Sequence, residues 1–250
     1  MTSQNVKRLV VLAGSLALAA CHGAAGRPQT SPETQFAGAM HDFRTGRFSR
    51  AAVDFQRLQF DLPARDTLLA PAGFYLAESH AAQGDQITAA REFRRVADDY
   101  PSDPLAPFAL LRVGDQYQRL WRKPELDPTH GETALATYQE LIGRYPESPA
   151  AAIAAIRVRQ VQDWYARKDF LNGLFYFRRG GFDSAILYFR ALIAAYPGSA
   201  VVPEAYVKLV EAYRSIGYRE EREETCAHLR QYFGGRADVR AVCGDGNTGR

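Results

Sequence analysis

The stretch that decides the fold is residues 180–199, GGFDSAILYFRALIAAYPGS. In it, Ala185 is followed four residues later by Phe189 and eight residues after that by Pro197. The same frame occurs three more times. The other copies are Ala51, Phe55 and Pro63; Ala89, Phe93 and Pro101; and Ala134, Tyr138 and Pro146. A unit that recurs at this spacing indicates a stacked repeat architecture.

The frame resembles the tetratricopeptide repeat, a pair of antiparallel helices. The resemblance implies that the alanine is the close-approach point of the two helices and that the aromatic residue fills the space between repeats. The proline ends the second helix, because it cannot donate the intrahelical hydrogen bond. A glycine lies five residues before the alanine in three copies, and a weaker fifth copy spans residues 206–217. The sequence therefore predicts an all-α fold, a tetratricopeptide-repeat superhelix of about five helix pairs.

Two irregularities interrupt the repeats. The spacing between successive frame prolines grows from 38 to 45 and then 51 residues, whereas the minimal unit has about 34. The third copy carries an inserted loop, Arg122–His130, and the fourth has an overlong first helix between Pro149 and Arg179. One helix of that length spans about 46 Å. We expect this extended helix, between repeats three and four, to brace the N-terminal repeats against the C-terminal ones.

The first twenty residues have the pattern of a signal peptide. Lys7 and Arg8 precede a mostly apolar 12-residue run that ends directly before Cys21, and this run is too short to span a bilayer as a helix. Residues 18–21, LAAC, resemble a bacterial lipobox, so Cys21 is the expected lipidation site. An ordinary secretory signal that happens to precede a cysteine is the alternative. The residue after the cysteine is His22. An Asp at this position would favour retention in the inner membrane, so His22 favours the outer membrane.

The net charge gives no case for nucleic-acid binding. The chain carries +3 overall, and cleavage before Cys21 removes Lys7 and Arg8 and leaves +1. We expect four segments: signal peptide 1–20, lipidated tether 21–34, repeat domain 35–233 and flexible tail 234–250. Cys226 and Cys243 either form a disulfide, as an exported chain allows, or remain as one buried and one loose thiol.

No constellation in the sequence points to catalysis. The five histidines are scattered, and none has the paired spacing of a metal site. A nucleophile elbow and a phosphate-binding loop are also missing from the sequence. We therefore expect no enzyme activity, no metal and no cofactor.

Two surface features remain as candidates for partner binding. Basic residues recur along and beyond the long helix, and they form either a solvated face or a docking face for an acidic partner. They are Arg157, Arg159, Arg167, Lys168, Arg178 and Arg179. An apolar cluster, residues 170–177, is either core throughout or in part a partner surface.

Several motifs resemble the BamD family, the lipoprotein subunit of the machinery that assembles outer-membrane β-barrels. They are YPES at 145–148, YARKD at 165–169, GLFYFRRG at 173–180, PEA at 203–205 and LDP at 126–128. The resemblance covers the chain from the lipobox to about Phe233. It implies a non-catalytic outer-membrane lipoprotein that faces the periplasm. Its implied partners are a BamA-type barrel subunit, other assembly lipoproteins and unfolded outer-membrane proteins.

The resemblance also suggests site residues. The expected partner-binding set in the C-terminal half is Arg167, Lys168, Arg178, Arg179, Tyr188 and Arg190. Tyr188 stands where the family often has an arginine that contacts the barrel subunit, so Arg190 or a neighbour would have to replace that contact. The N-terminal repeats would receive the C-terminal strand of an unfolded substrate in a groove lined by Phe74, Tyr75 and Phe108.

Other classes of protein stay open. The repeats also resemble the periplasmic cell-division coordinator of the Tol-Pal system, but residues 22–35 have no room for the heptads of its coiled coil. A generic envelope lipoprotein adaptor is a further alternative. An enzyme such as a peptidoglycan hydrolase would need a catalytic constellation that the sequence lacks.

Overall fold

The computed structural model describes residues 31–244, and all regular structure in that range is helical. The predicted all-α class is confirmed. The signal peptide, Cys21 and residues 22–30 of the predicted tether lie outside the described residues. The helices are α1 (Pro32–Arg44), α2 (Phe48–Asp61), α3 (Leu69–Ala82), α4 (Gln86–Asp99), α5 (Ala106–Leu120), α6 (Thr129–Arg144), α7 (Pro149–Arg178), α8 (Phe182–Ala195), α9 (Val202–Ile216), α10 (Arg219–Phe233) and α11 (Ala237–Cys243).

Helices α1 to α10 form consecutive hairpins that stack in chain order, since each helix packs against the next one. The turn inside four of the five hairpins contains a glycine with positive φ, at Gly46, Gly84, Gly180 and Gly217. Values of +77° to +82° lie in the left-handed region, where residues with a Cβ are strained. The third hairpin has the inserted loop at this place instead of the glycine.

Each proline of the frame follows directly after the residue that ends a second helix. Tyr145, for example, is the C-terminal cap of α6, and Pro146 comes next. Two residues later the Ser148 side chain accepts a hydrogen bond from the Ala151 amide and so caps α7. The YPES motif therefore ends one helix and starts another within four residues.

The frame residues form the centre of the core. All four alanines and all four aromatic residues of the frame are fully buried, with 0% exposure. The first helices make room for the rings with glycines. A Cβ placed on Gly114 would come within 2.4 Å of the Tyr138 ring, and one on Gly173 within 2.5 Å of Phe189. Helices within a hairpin can approach this closely only because these positions carry no side chain.

Helix α7 is a single helix of 30 residues, which gives a length of about 45 Å. Its first half places Val161 in the core shared with α3 to α6, and its second half places Phe170 in the core shared with α8 and α9. Among the described helices, α7 alone packs against both α5 and α6 on one side and α8 and α9 on the other. The predicted bracing helix is therefore present, with its last helical residue at Arg178.

The inserted loop is shorter than predicted and packs on α7. Thr129 and His130 belong to α6, so the insertion covers residues 121–128. Trp121 at its start is buried and meets Trp164 and Tyr165 of α7, with ring centroids 5.3 and 4.8 Å apart. The Asp127 carboxylate accepts a hydrogen bond from the Thr129 amide. This bond ends the loop and starts α6 earlier than the prolines in the loop suggest.

The C-terminal boundary also differs from the prediction. Within the expected flexible tail, residues 237–243 form helix α11, which packs back on α9 and α10. Val239 is fully buried beside Val207 and Val210, and Cys243 forms a disulfide with Cys226. The short helix thus covers an apolar face of α9 beside the last described hairpin. Of the expected tail, residues 245–250 lie outside the described residues.

Candidate docking surfaces

The basic residues along α7 do not form one continuous face. Arg157 donates a hydrogen bond to Asp115 of α5, with Nε 3.0 Å from Oδ1. Lys168 donates from Nζ to the carbonyl of Leu126 in the inserted loop, at 3.0 Å. Arg167 lies 3.9 Å from Glu204 of α9, a long and exposed ion pair. Arg157 and Lys168 therefore hold neighbouring elements in place, whereas Arg159 and Arg167 remain exposed.

The end of the α7–α8 hairpin is different, because its aromatic and basic residues face solvent. We name Phe175, Tyr176, Arg178, Arg179 and Tyr188 the hairpin-end patch. The guanidinium of Arg179 lies over the Phe175 ring, 3.7 Å from its centroid, as a cation–π pair. Phe175 meets Tyr176 edge-on, and Tyr176 stacks on Tyr188 with centroids 5.5 Å apart. Phe175 is still 49% exposed.

Arg178 stands out within this patch. It is exposed, and its side chain makes no hydrogen bond or ion pair with any residue in the range 31–244. Leu187, next to Tyr188, is 70% exposed. Aromatic residues and arginine are the residue types that are enriched at the centre of protein interfaces, and the exposed leucine adds apolar area beside them.

Arg190 does not belong to the hairpin-end patch. It lies two residues beyond Tyr188 on α8, and residues at this spacing point to different sides of a helix. Arg190 instead lines a cleft of about 310 Å³ between α8, α9 and α10, together with Tyr213, Glu221 and Glu224. The predicted replacement of the family's arginine by Arg190 therefore has no support from the placement of these two residues.

The three predicted groove residues are all half-buried, and two of them belong to ring contacts between helices, Phe74 within its hairpin and Tyr75 across to the preceding one. Phe74 packs edge-on against Phe93 of its own hairpin, at 5.2 Å. Tyr75 joins the aromatic cluster of the first hairpin and stacks on Phe55 at 5.8 Å. Phe108 on α5 packs against the central core. Only the remaining exposed edges of these rings are available to a ligand.

A polar cluster between α5, α6 and α7 was missed by the sequence analysis. The Asp115 carboxylate, only 8% exposed as a residue, accepts hydrogen bonds from Arg157 and from the Tyr138 hydroxyl at 2.9 Å. Burial, reinforced by the charge of Asp115, raises the pKa of Tyr138 far above its usual value, so the phenol stays protonated as the donor. The spacing of Arg112, Asp115 and Arg119 along one helix face could have indicated this cluster.

The described residues contain no group of three or more His, Cys, Asp or Glu side chains that could hold a metal ion. Within residues 31–244 there is also no helix long and apolar enough to cross a membrane.

The stacked hairpins and the buried alanine–aromatic frame define a tetratricopeptide-repeat protein, and the hairpin-end patch is an exposed aromatic and basic part of its surface. The profile of the YfiO family, described as outer membrane lipoproteins, matches residues 28–229. The chain therefore belongs to this family of outer membrane lipoproteins.

Individual relatives agree with the family. The outer membrane protein assembly factor BamD of Caulobacter vibrioides is 28% identical over 237 residues, which is 90% of this chain and 75% of the relative. BamD of Neisseria meningitidis serogroup A is 25% identical and covers 81% of this chain and 79% of its own length. Among solved structures, the TPR2AB domain of yeast Sti1 in its pHSP90 complex is 12% identical, with a TM-score of 0.45, and covers 85% of this chain and 81% of its own.

Proposed function

We propose that this chain is a non-catalytic scaffold subunit of the machinery that assembles β-barrel proteins in the outer membrane. The observation that carries the proposal is the family match over residues 28–229, together with relatives named as outer membrane protein assembly factors. In this role the protein docks on a BamA-type barrel subunit and helps to receive and insert unfolded outer-membrane proteins.

The lipid anchor on Cys21 holds the repeat domain at the periplasmic face of the outer membrane. Nine residues lie between Cys21 and Ser31, where the described residues begin. A segment of this length cannot reach further than about 35 Å. Two or more acyl chains anchor a protein stably, since each buried methylene contributes about 0.8 kcal/mol. A Cys21→Ser variant is therefore expected in the soluble periplasmic fraction.

The hairpin-end patch is the surface that docks on the barrel subunit. Arg178 and Arg179 supply exposed positive charge, and Phe175, Tyr176 and Tyr188 supply a connected apolar surface beside it. A partner surface with acidic residues around an apolar centre fits this arrangement. Lys168 contributes indirectly, since it holds the inserted loop against α7, and Arg167 adds exposed positive charge on the same helix.

The substrate strand binds on the side of the first helices of repeats two and three. The exposed edges of Phe74, Tyr75 and Phe108 on α3 and α5 offer apolar contacts to an extended, aromatic-ending peptide. Because Phe74 and Tyr75 also pack between helices, truncation to alanine would unfold the repeats rather than test binding. Phe108→Leu keeps an apolar side chain in the core and removes only the ring.

Co-purification from detergent-solubilised envelopes tests the docking assignment. The double variant Arg178→Glu/Arg179→Glu is expected to lose most of the barrel subunit, because two attractive contacts become repulsive. The matched control is Arg91→Glu/Arg95→Glu, which reverses two exposed arginines on α4 far along the chain from the patch. Full recovery of the barrel subunit with the patch variant would overturn the docking assignment. Absence of any barrel subunit with the parent chain would overturn the assembly role itself.

A further inference from the structure

We propose a second binding site in this protein, an arginine-lined cleft between α5 and α7 that takes an acidic segment of a partner protein. We name it the arginine cleft; its lining includes Arg112, Arg119, Arg122, Arg157, Trp121 and Trp164, and its volume is about 490 Å³. The cleft lies where the first helices of repeats three and four meet, and it shares no lining residue with the hairpin-end patch or with the predicted groove. It borders that groove, because Arg112 lies one turn from Phe108 on α5. The inference does not depend on the assembly role proposed above.

The charge of the arginine cleft is strongly unbalanced. Four arginines line it, and Asp115 is the single acidic residue among the lining residues in the described part of the chain. Arg119 and Arg122 are both exposed and pair with no acid in residues 31–244. The whole chain without its signal peptide carries only +1. A concentration of positive charge in a concave site focuses the electrostatic potential and attracts an anionic ligand.

The two inner arginines are held in fixed positions. Arg157 donates from Nε to Asp115 and from Nη1 to Gln160, at 3.0 and 3.1 Å. Arg112 forms ion pairs with Glu78, with Nε 2.8 Å from Oε1, and with Asp115, with Nη1 3.6 Å from Oδ2. Each guanidinium has five N–H groups, so donors remain on both after these bonds. Arginines that are ordered before binding lose little side-chain entropy when a carboxylate arrives.

The apolar part of the cleft favours a protein segment over a small anion. Trp164 forms a half-buried wall and meets Trp121 at 5.3 Å, so side chains of a ligand can pack on an indole surface beside the charges. The indole N–H of Trp121 is buried and has no hydrogen-bond partner in the described structure. A site of this size, with both aromatic wall and guanidinium groups, fits glutamate or aspartate residues around an apolar residue.

Intrinsic fluorescence gives a direct test, because the chain has only two tryptophans and both line the cleft. The full exported chain with Cys21→Ser is titrated with a peptide of three glutamates, one leucine and three glutamates. We expect a saturable change in tryptophan emission, and affinity about tenfold weaker in Arg119→Glu/Arg122→Glu. The control Arg91→Glu/Arg95→Glu should bind like the parent. Unchanged emission of the free variant confirms that its fold is intact.

Two other ligands are measured in parallel, inorganic phosphate and vesicles that contain phosphatidylglycerol. Weak or absent responses to both support the proposal. It is overturned if the acidic peptide causes no change, if both charge-reversal variants bind it equally, or if phosphate or vesicles give the same charge-dependent response as the peptide.

A photo-cross-linker identifies the occupant in the cell envelope. Gln118→p-benzoylphenylalanine places the probe in the lining of the cleft of the full lipidated chain. The expected adduct contains a protein segment rich in aspartate and glutamate, and it disappears when Arg119→Glu/Arg122→Glu is added. An adduct with lipid, or a protein adduct that survives the charge reversal, would contradict the assignment.

Discussion

Arg157 on α7 and Asp115 on α5 form an ion pair with Nε 3.0 Å from Oδ1, and this pair joins the first helices of two successive repeats. The same carboxylate accepts the hydroxyl hydrogen of Tyr138, the aromatic residue of the third frame copy on α6. One buried side chain therefore connects three helices. Arg157 and Arg159 lie only two residues apart on α7, but they have different surroundings. Arg159 is exposed and lines a different cleft.

Replacement of Asp115 by alanine is expected to destabilise the protein by about 3 kcal/mol. The change leaves the Tyr138 hydroxyl and the Arg157 guanidinium without their shared acceptor, and removal of one partner from a largely buried polar cluster is costly. Urea unfolding at neutral pH measures the difference. Glu147→Ala, in an exposed turn, serves as control and should stay within about 0.5 kcal/mol of the parent. Equal stability of the two variants would show that the cluster is not a fold determinant.

Gly173 and Gly143 should respond to alanine in opposite directions. A Cβ on Gly173 would come within 2.5 Å of the Phe189 ring, so Gly173→Ala is expected to cost about 1–3 kcal/mol through overpacking. Nothing lies within 4 Å of a Cβ on Gly143, an exposed helical position. Gly143→Ala should therefore stabilise the protein by about 0.5–1 kcal/mol, because alanine favours the helix. Thermal unfolding of the two variants measures both changes in stability. If both variants were destabilised, or both stabilised, the prediction would be wrong.

Glu140 should make stability depend on pH in the acidic range. Burial raises the pKa of this carboxyl, but hydrogen bonds from Arg94 and Arg144 outweigh burial, so the pKa lies below the usual 4.5. A lowered folded-state pKa contributes stability that is full above the unfolded value and is lost as the pH falls through the folded value. Glu140→Gln should thus cost about 1 kcal/mol at neutral pH.

The cost of Glu140→Gln should fade as the pH falls below the unfolded-state pKa and disappear below the lower folded-state pKa, since the parent glutamate becomes neutral there as well. Urea unfolding across this range supplies the measurement. Glu125→Gln, in the exposed loop, is the control and should show no pH-dependent difference. A Glu140→Gln cost that stays constant down to the lowest pH would exclude a charged network as its source.

Loss of the Cys226–Cys243 disulfide should release α11. The bond closes a loop with a sequence separation of 17, and removal of a cross-link of this length costs about 3 kcal/mol in the chain-entropy account. We expect trypsin to cleave Cys243→Ser rapidly after Arg236 and Arg240, while the oxidised parent resists. Dithiothreitol should convert the parent to the behaviour of the variant and leave the variant unchanged. If the oxidised and the reduced parent were cleaved equally fast, the disulfide would not be what holds α11 in place.

The parts of the fold that the sequence predicted are those set by local rules. Ala185, Phe189 and Pro197 lie within one helix and its end, so their spacing is sufficient to define the hairpin. The same holds for α7, where a long run without proline predicts an uninterrupted helix. The predicted end of the inserted loop lies two residues too far along the chain, because the hydrogen bond from the Thr129 amide to the Asp127 side chain starts α6 early and the pattern of apolar residues does not reveal it.

The site was harder to predict, because its geometry depends on contacts between distant residues. Arg157 and Asp115 are 42 residues apart, and only the stacked repeats bring them together. Conversely, Tyr188 and Arg190 are neighbours in sequence but lie on different sides of α8. Helix α11 escaped prediction because a seven-residue helix between glycines is not stable alone. It depends on the disulfide and on burial of Val239 against α9.

Because α7 is uninterrupted, its helical phase sets the orientation of the N-terminal half of the molecule relative to the C-terminal half. An α-helix turns by about 100° and advances about 1.5 Å with each residue. One residue inserted near the middle of α7 would therefore swing the hairpin-end patch around the helix axis by more than a quarter turn relative to the arginine cleft. The number of residues in α7 therefore sets both the distance and the angle between these two surfaces.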